Sequence, residues 1–467
     1  MSPRTAARRF VLLTALRWLP VGLTVPVSVL LALSRGLSLA EIGLVVTVHS
    51  VTVALLELPT GGLADAVGRR PVLVLSGLLN LASCFAVATA DGPAGFAVGA
   101  LLLGAGRALD SGPLEAWYVD AVHAADPTAD VTPGLSAAGV ADGLALGIGA
   151  VAGGLLPGLL GGAPASVLVL PYVAAAVLVL VSTGAVLLLV TPTGPPRTAS
   201  APAALRAGLR AVPSTVGCAL RLAGGDGSLR VLLGLSLLTG VGLATSELLG
   251  PLLFADLAGS RTGGSAAYGV AIAVAFGAAA IGSALAGPVL RLARGSARCA
   301  LAGLAVAGAV ALAYLAVAPG VPIAGAAYAA FYLAGGASFP LRHALLHDRV
   351  DADRRATVLS ASSLALQLGG AAATLTVPLV ARALGEADTF LPLAAVVLAS
   401  ALLCLRLPVL ADEEALLDEP RDHGQHLLAG LTLTEPGAGR EHRDQVTEPP
   451  GAVAPGEQGS AVRVDPA

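Results

Sequence analysis

Charge is what this chain has least of. Of its 467 residues only 12% are charged, roughly half the share in a soluble domain. Lys is missing altogether, so all 27 basic residues are Arg. The formal net charge of −3 excludes a basic nucleic-acid-binding surface. Aromatics are scarce as well, at 8 Phe, 6 Tyr and 2 Trp, which weighs against a ring-stacking sugar site. The cysteines are Cys84, Cys218, Cys299 and Cys404; they form no CxxC pair, which excludes a zinc or disulfide framework. There is no Walker loop, no paired-His metal motif and no nucleophile elbow. The expectation is therefore neither an ATP-driven pump nor an enzyme, with no cofactor and no metal.

What the chain has in excess is apolar surface. Hydrophobic residues make up 55% and the mean hydropathy is +0.82. Surface of that kind must face lipid rather than water. Gly (58) and Pro (31) are also frequent, as membrane helices tolerate for close packing. Apolar runs of membrane-spanning length recur near 10–33, 40–62, 72–90, 94–119, 135–160, 164–190, 229–254, 266–290, 297–318, 321–345, 356–381 and 387–408. The first is expected to be an uncleaved helix, because its apolar run passes Arg17 and Pro20 and continues to Leu33.

The expected organisation is a six-helix bundle over 1–192, a cytoplasmic linker over 193–228, a second six-helix bundle over 229–410 and a disordered tail over 411–467. In the linker, Leu205, Leu209, Val212 and Val216 recur at helical spacing beside Arg206, Arg210 and Arg221, the pattern of an interfacial amphipathic helix. The tail is acidic, rich in Pro and Gly, and without apolar periodicity. Arg placement predicts orientation. With the N-terminus inside, the inner links collect most of the arginines, while the outer links hold only Arg35, Arg261 and Arg382. The positive-inside rule then puts both termini in the cytoplasm.

Charges inside the spans mark candidate functional positions, since such groups avoid lipid and face a cavity. The first half places Arg17, His49, Glu57, Arg107, Asp110, Glu115 and Asp142 there; the second places Glu247, Arg342 and His343, beside the uncharged amide of Gln367. Four acids against Arg17 and Arg107 leave two carboxylates without a basic partner, and a desolvated carboxylate tends to take up a proton. Asp110 or Asp142 is the expected proton carrier. The alternative for Asp110 is a pair with Arg107 one turn away. Trp18 and Trp117 are expected to act as interfacial anchors. The halves also echo each other: Ser111-Gly-Pro113-Leu114-Glu115 recurs as Ser338-Phe-Pro340-Leu341-Arg342.

The strongest local pattern follows the second run: Gly61-Gly-Leu63-Ala-Asp65-Ala-Val-Gly68-Arg69-Arg70. As chemistry it is a tight turn, with glycine for the bend, an acid able to cap a helix N-terminus and an Arg pair for the headgroups. This segment resembles the signature loop between helices 2 and 3 of the major facilitator superfamily. Together with the span pattern the resemblance covers residues 10–408, and it implies twelve transmembrane helices in an all-α polytopic membrane protein, two six-helix bundles related by a pseudo-two-fold axis. The copy after span 8, Gly287-x-x-x-Arg291-x-x-x-Gly295, departs from the pattern. Leu103-x-x-x-Arg107-x-x-Asp110-Ser111-Gly112 and Gly149-x-x-x-Gly153-Gly154-x-x-Pro157-Gly158 are similar to drug–proton antiporter motifs, with alterations in both. Small-residue helix packing is the simpler account of the second.

The resemblance implies secondary active transport by alternating access at the cytoplasmic membrane, as proton-coupled efflux of a hydrophobic or amphipathic small molecule. The alternatives are import of a nutrient such as a sugar or organic acid and, more remotely, a polytopic membrane enzyme or receptor. The expected partners are the small-molecule substrate, protons and the lipid bilayer, with no nucleic acid, and the protein is expected to be a monomer. The resemblance also gives Asp65 the role of capping helix 11 when the cytoplasmic side is shut. Glu115 and Arg342, at equivalent positions of the repeat, form a candidate cytoplasmic latch. Glu247 is expected to contact substrate or a second proton near the outer face.

Overall fold

The computed structural model describes residues 1–160, 164–191, 224–348 and 352–407, with isolated positions at 206, 210, 217 and 221. At 58–62, 65, 66, 160, 164, 347, 348 and 352–357 only the backbone is described. The tail, most of the linker with its apolar stripe, and the Asp65 and helix-11 contact therefore lie outside the described residues.

All regular structure among the described residues is helical. The order is α1 Pro3–Thr24, α2 Ser28–Ser34, α3 Leu39–Val67, α4 Arg69–Thr89, α5 Pro93–Asp110, α6 Pro113–His123, α7 Thr132–Leu160, α8 Pro164–Val167, α9 Leu170–Leu189, α10 Gly227–Leu257, α11 Arg261–Ala284, α12 Ala286–Leu292, α13 Ala297–Ala316, α14 Val321–Asp348, α15 Ala352–Leu384 and α16 Phe390–Cys404. Polar side chains start several of them. Ser38 and Glu41 close a reciprocal capping box on α3. Asp226 accepts from the Ser228 and Leu229 amides at the start of α10, and Ser296 accepts from Cys299 at the start of α13.

Among the described residues ten helices, counting α1 and α2 together, are long and apolar enough to cross a membrane. Two of the twelve expected spans differ. The run over 94–119 is broken: Ser111 is extended, Gly112 takes φ +94°, and Pro113 restarts the chain as α6. A left-handed glycine followed by a proline stops one helix and opens the next. The last expected span, α16, has 15 residues, short for a full crossing.

Contacts at the helix ends define two faces. At the face where α1 begins, Arg9 donates to the Leu189 carbonyl at 3.0 Å and the Trp117 indole donates to the Thr191 carbonyl at 3.0 Å. At the opposite face, Arg35 reaches back to the carbonyls of Ala88 and Ala90. In the first half α1 packs on α7 and α9, α5 on α3 and α4, and α4 on α9. In the second half α10 packs on α15 and α16, α14 on α11 and α13, and α13 on α16. Taken helix for helix, the second set of pairings repeats the first.

The cores differ between the faces. Toward the opposite face one apolar cluster joins both halves, from Val27–Leu37 of the first to Leu248–Phe254, Tyr268 and Phe390 of the second. Toward the starting face the core is three separate clusters among the described residues. One, with Phe10, Leu114, Trp117 and Val186, and a small one of Leu63, Ala64, Val72 and Leu109 belong to the first half; the third, with Leu232, Leu301, Leu341 and Leu345, belongs to the second. Among the described residues an apolar cluster joins the halves at one face and none does at the other.

Candidate functional site

Small residues make the fusion. Without Cβ atoms, helix backbones can approach closely. Gly149 and Gly153 of α7 face the α1 carbonyls of Leu19 and Leu23. Gly154, one residue on, faces α11, where a Cβ would meet Gly269 Cα at 3.0 Å. Ser265 of α11 donates to the Gly154 carbonyl at 3.0 Å. The glycine run that is similar to an antiporter motif is thus, in this chain, the packing surface of α7 toward α1 and across to the other half. On the second seam Gly43 of α3 packs against the Thr374 carbonyl of α15, and the hydroxyls of Thr47 and Thr374 hydrogen-bond at 2.8 Å.

The first half holds a charged cluster. Arg17 of α1 forms an ion pair with Asp110 at the end of α5. The pair is largely shielded, with 23% and 10% of the two side chains exposed. Asp110 therefore pairs across helices with Arg17. Arg107 instead stacks on Trp18, its guanidinium carbon 4.5 Å from the ring centroid, and Arg17 approaches the same ring at 5.1 Å. Trp18 is thus part of the charged cluster rather than an interfacial anchor. Asp142 of α7 lies within electrostatic reach of both arginines, and its Oδ1 is buried with no hydrogen-bond partner. Glu57 accepts from Ser111 at 3.4 Å and, across the halves, from Ser363 of α15 at 3.5 Å. A small cavity of about 40 Å³, bordered by Ser76, Asn80 and Thr183, adjoins the Arg17–Asp110 pair.

The signature turn is built at the starting face. Gly68 caps α3 with φ +115°, a conformation in which an L side chain would be strained. The turn sets Arg69 against the Asp120 carboxylate and the Ala116 carbonyl of α6, and Arg70 against the Leu187 carbonyl of α9. Asp120 was not among the sequence candidates; the available signal was an acid near the inner end of span 4 facing an Arg pair. Gly61 and Asp65 precede this turn on α3. Trp117 is fully buried one turn from Asp120, so it too is a core residue rather than an anchor.

The second half holds a cavity of about 720 Å³ between α10, α11, α13, α14, α15 and α16. Apolar and aromatic side chains dominate its wall, among them Phe331, Tyr332 and Phe339. Its polar groups are few. Ser236 and Ser362 bond each other at 2.8 Å, and Arg342 donates to Thr239 Oγ1 at 2.6 Å and to the Leu235 carbonyl at 3.4 Å. His343 packs against Phe339 with the rings tilted by 36° and their centroids 4.1 Å apart. Glu115, the counterpart of Arg342 in the repeat, is exposed on α6. Toward the opposite face, Tyr268 and Tyr328 share a hydrogen bond at 3.0 Å, and Tyr328 donates to the Ser246 carbonyl at 3.2 Å. Glu247 lies within electrostatic reach of both tyrosines and of Tyr332, its side chain open rather than packed. Periodicity alone does not reveal this cavity: its wall is small and aromatic residues from six helices, brought together only by packing.

Similar proteins fit this architecture. The solved structure of the nucleoside transporter NupG is 13% identical, covers 89% of this chain and 100% of its own, and superposes with a TM-score of 0.65. The human organic anion transporter MFSD10 (TETRAN) is 19% identical over 86% of this chain and 100% of its own, at a TM-score of 0.58. A peptide transporter POT in complex with sulfate is 16% identical over 86% of this chain and 93% of its own, at 0.65. At these identities the likeness is one of fold. No curated protein matches the sequence. Residues 10–374 match the family description Major Facilitator Superfamily. That span is most of the chain, and it carries the signature turn, both seams and all of the site but its α16 wall: this protein belongs to the major facilitator superfamily and is a multi-pass membrane transporter rather than an enzyme.

Proposed function

We propose that this protein is a proton-coupled secondary transporter that exports a small amphipathic compound from the cytoplasm by alternating access. The observation that carries the proposal is the unequal core. Alternating access needs one face sealed and the other open, with the seal made of contacts that can break. A single apolar cluster joins the halves at the opposite face, while among the described residues each cluster at the starting face stays within one half. With the starting face taken as cytoplasmic, as the arginine distribution favours, this is an inward-open state. The repeated helix pairings support two six-helix bundles related by a pseudo-two-fold axis.

Asp142 is the proposed proton carrier. Asp110 is held by Arg17, whereas one oxygen of Asp142 is buried without a partner near two arginines. An oxygen in that state gains a hydrogen-bonding role on protonation. Glu247, between the cavity and the outer seal, is proposed as a second protonation site. Glu115 and Arg342 are proposed to meet when the cytoplasmic side closes. Full-length protein reconstituted in vesicles with an imposed pH gradient tests the coupling. Substrate should accumulate with the gradient and stop on adding an uncoupler. Asp142→Asn should abolish accumulation while leaving exchange at equal pH. Unchanged accumulation in Asp142→Asn would falsify Asp142 as carrier, and insensitivity to the uncoupler would remove the proton from the scheme.

A further inference from the structure

We propose that the cavity of the second half takes an organic anion, a carboxylate or sulfonate on an apolar body, with Arg342 as its counter-ion. This rests on the transport reading above and adds a substrate class to it.

The argument is one of charge balance. Arg342 is a wall residue of a largely apolar cavity of about 720 Å³, a volume suited to a small-molecule ligand, which such pockets hold with a few placed polar groups. A guanidinium carries five N–H donors. Nη1 of Arg342 uses Thr239 and the Leu235 carbonyl, both neutral, and Nε is buried with no hydrogen-bond partner. Among the described residues no carboxylate lines the cavity and none forms an ion pair with Arg342. Glu57 touches the edge of the cavity through Ser363, where it accepts from that hydroxyl.

The first half shows what balance looks like in this protein: Arg17 has Asp110, and Arg107 has acids nearby and a tryptophan face. A shielded cation lacking such compensation is costly. A ligand carboxylate restores it, and the planar fork fits a carboxylate or sulfonate with two parallel bonds. Phe331, Tyr332 and Phe339 supply apolar wall for the rest of the molecule.

The test is thermal unfolding of the purified full-length protein with three ligands that share one body: naphthalene-2-acetate, its primary amide, and 2-(2-naphthyl)ethylamine. The carboxylate should raise the unfolding midpoint and bind about tenfold or more tightly than the amide, the ratio expected for one charge-assisted hydrogen bond. Arg342→Gln should erase that preference. Arg342→Lys should keep part of it, since charge remains but the fork is lost. Equal binding of the three ligands overturns the proposal on the native chain alone, without depending on how a variant folds; so does no binding of the carboxylate, or its undiminished binding to Arg342→Gln. Binding through Arg342 without uptake into vesicles would remove the transport reading and leave this inference standing. Transport of neutral or cationic compounds with no anion binding would do the reverse.

Discussion

The arginine at position 17 decides much of the chemistry in the first half. A guanidinium on α1 inside an apolar run is expensive unless something balances it, and Asp110 does so from α5. Removing one partner of a shielded pair leaves the other charge uncompensated. Asp110→Asn should therefore destabilise the protein by about 1–3 kcal/mol, below the 3–5 kcal/mol of a fully buried pair because Arg17 keeps some exposure. The double variant Arg17→Gln/Asp110→Asn should recover most of that loss. A double-mutant cycle on chemical-denaturation midpoints gives the coupling; additive losses would show that the pair does not stabilise the fold. Which residues matter was readable here, because Arg17, Arg107, Asp110 and Asp142 stand out against apolar neighbours. Which residue pairs with which was not. Along one helix Arg107 is the natural partner of Asp110. Only the reach of the Arg17 side chain from α1 to the end of α5 makes the pair, and only the rotamer of Trp18 shows that Arg107 already has a ring face to rest on.

Helix ends show the same division. Most apolar runs became helices close to their expected limits, since length and composition settle a membrane span. Besides the short α16, the exception is the junction between α5 and α6. The repeat Ser-x-Pro-Leu suggested one geometry in both halves, yet Pro340 sits inside a continuous α14 while Pro113 starts a new helix. The residue before the proline makes the difference: Gly112 takes φ +94°, closed to Phe339 without strain. Gly112→Ala should cost about 1–2 kcal/mol from backbone strain alone, because a Cβ there meets nothing within 4 Å. A loss much beyond that, read as a drop in unfolding midpoint, would mean the break has packing partners. Between α15 and α16, burial and then the charge of Asp256 push the Glu386 carboxyl above its ordinary value. An acid whose pKa is raised on folding binds more protons folded than unfolded, so stability falls as pH rises through the window between the two values. Glu386→Gln should therefore raise the midpoint slightly at pH 7 and leave it unchanged at pH 4. A gain of the same size at both values would assign it to packing rather than charge.

At the scale of the molecule, the unequal cores turn structure into motion. In the alternating-access cycle proposed above, rocking from the inward-open state requires the seams α7–α11 and α3–α15 to part at the opposite face. At the helix crossings both seams are made of glycine, serine and threonine, contacts that are close but shallow. The main cost of parting the face is the apolar cluster that joins the halves there, from Leu30 and Leu31 to Leu248, Phe254 and Tyr268. The small-residue crossings are invisible in the sequence, where Gly43, Thr47 and Thr374 are ordinary residues of apolar runs. Thr47 and Thr374 offer the direct test, since their hydroxyls touch across the seam at 2.8 Å, close enough for a cysteine pair to bridge. In a background with the native cysteines replaced, oxidised Thr47→Cys/Thr374→Cys should hold the opposite face shut. Transport should fall to background and return on reduction, while each single variant transports normally. In the oxidised protein Ser338→Cys, on the cavity wall, should react with a membrane-impermeant maleimide from the cytoplasmic side only. Continued transport by the fully cross-linked protein would show that this seam stays closed through the cycle, and the opening would have to lie elsewhere.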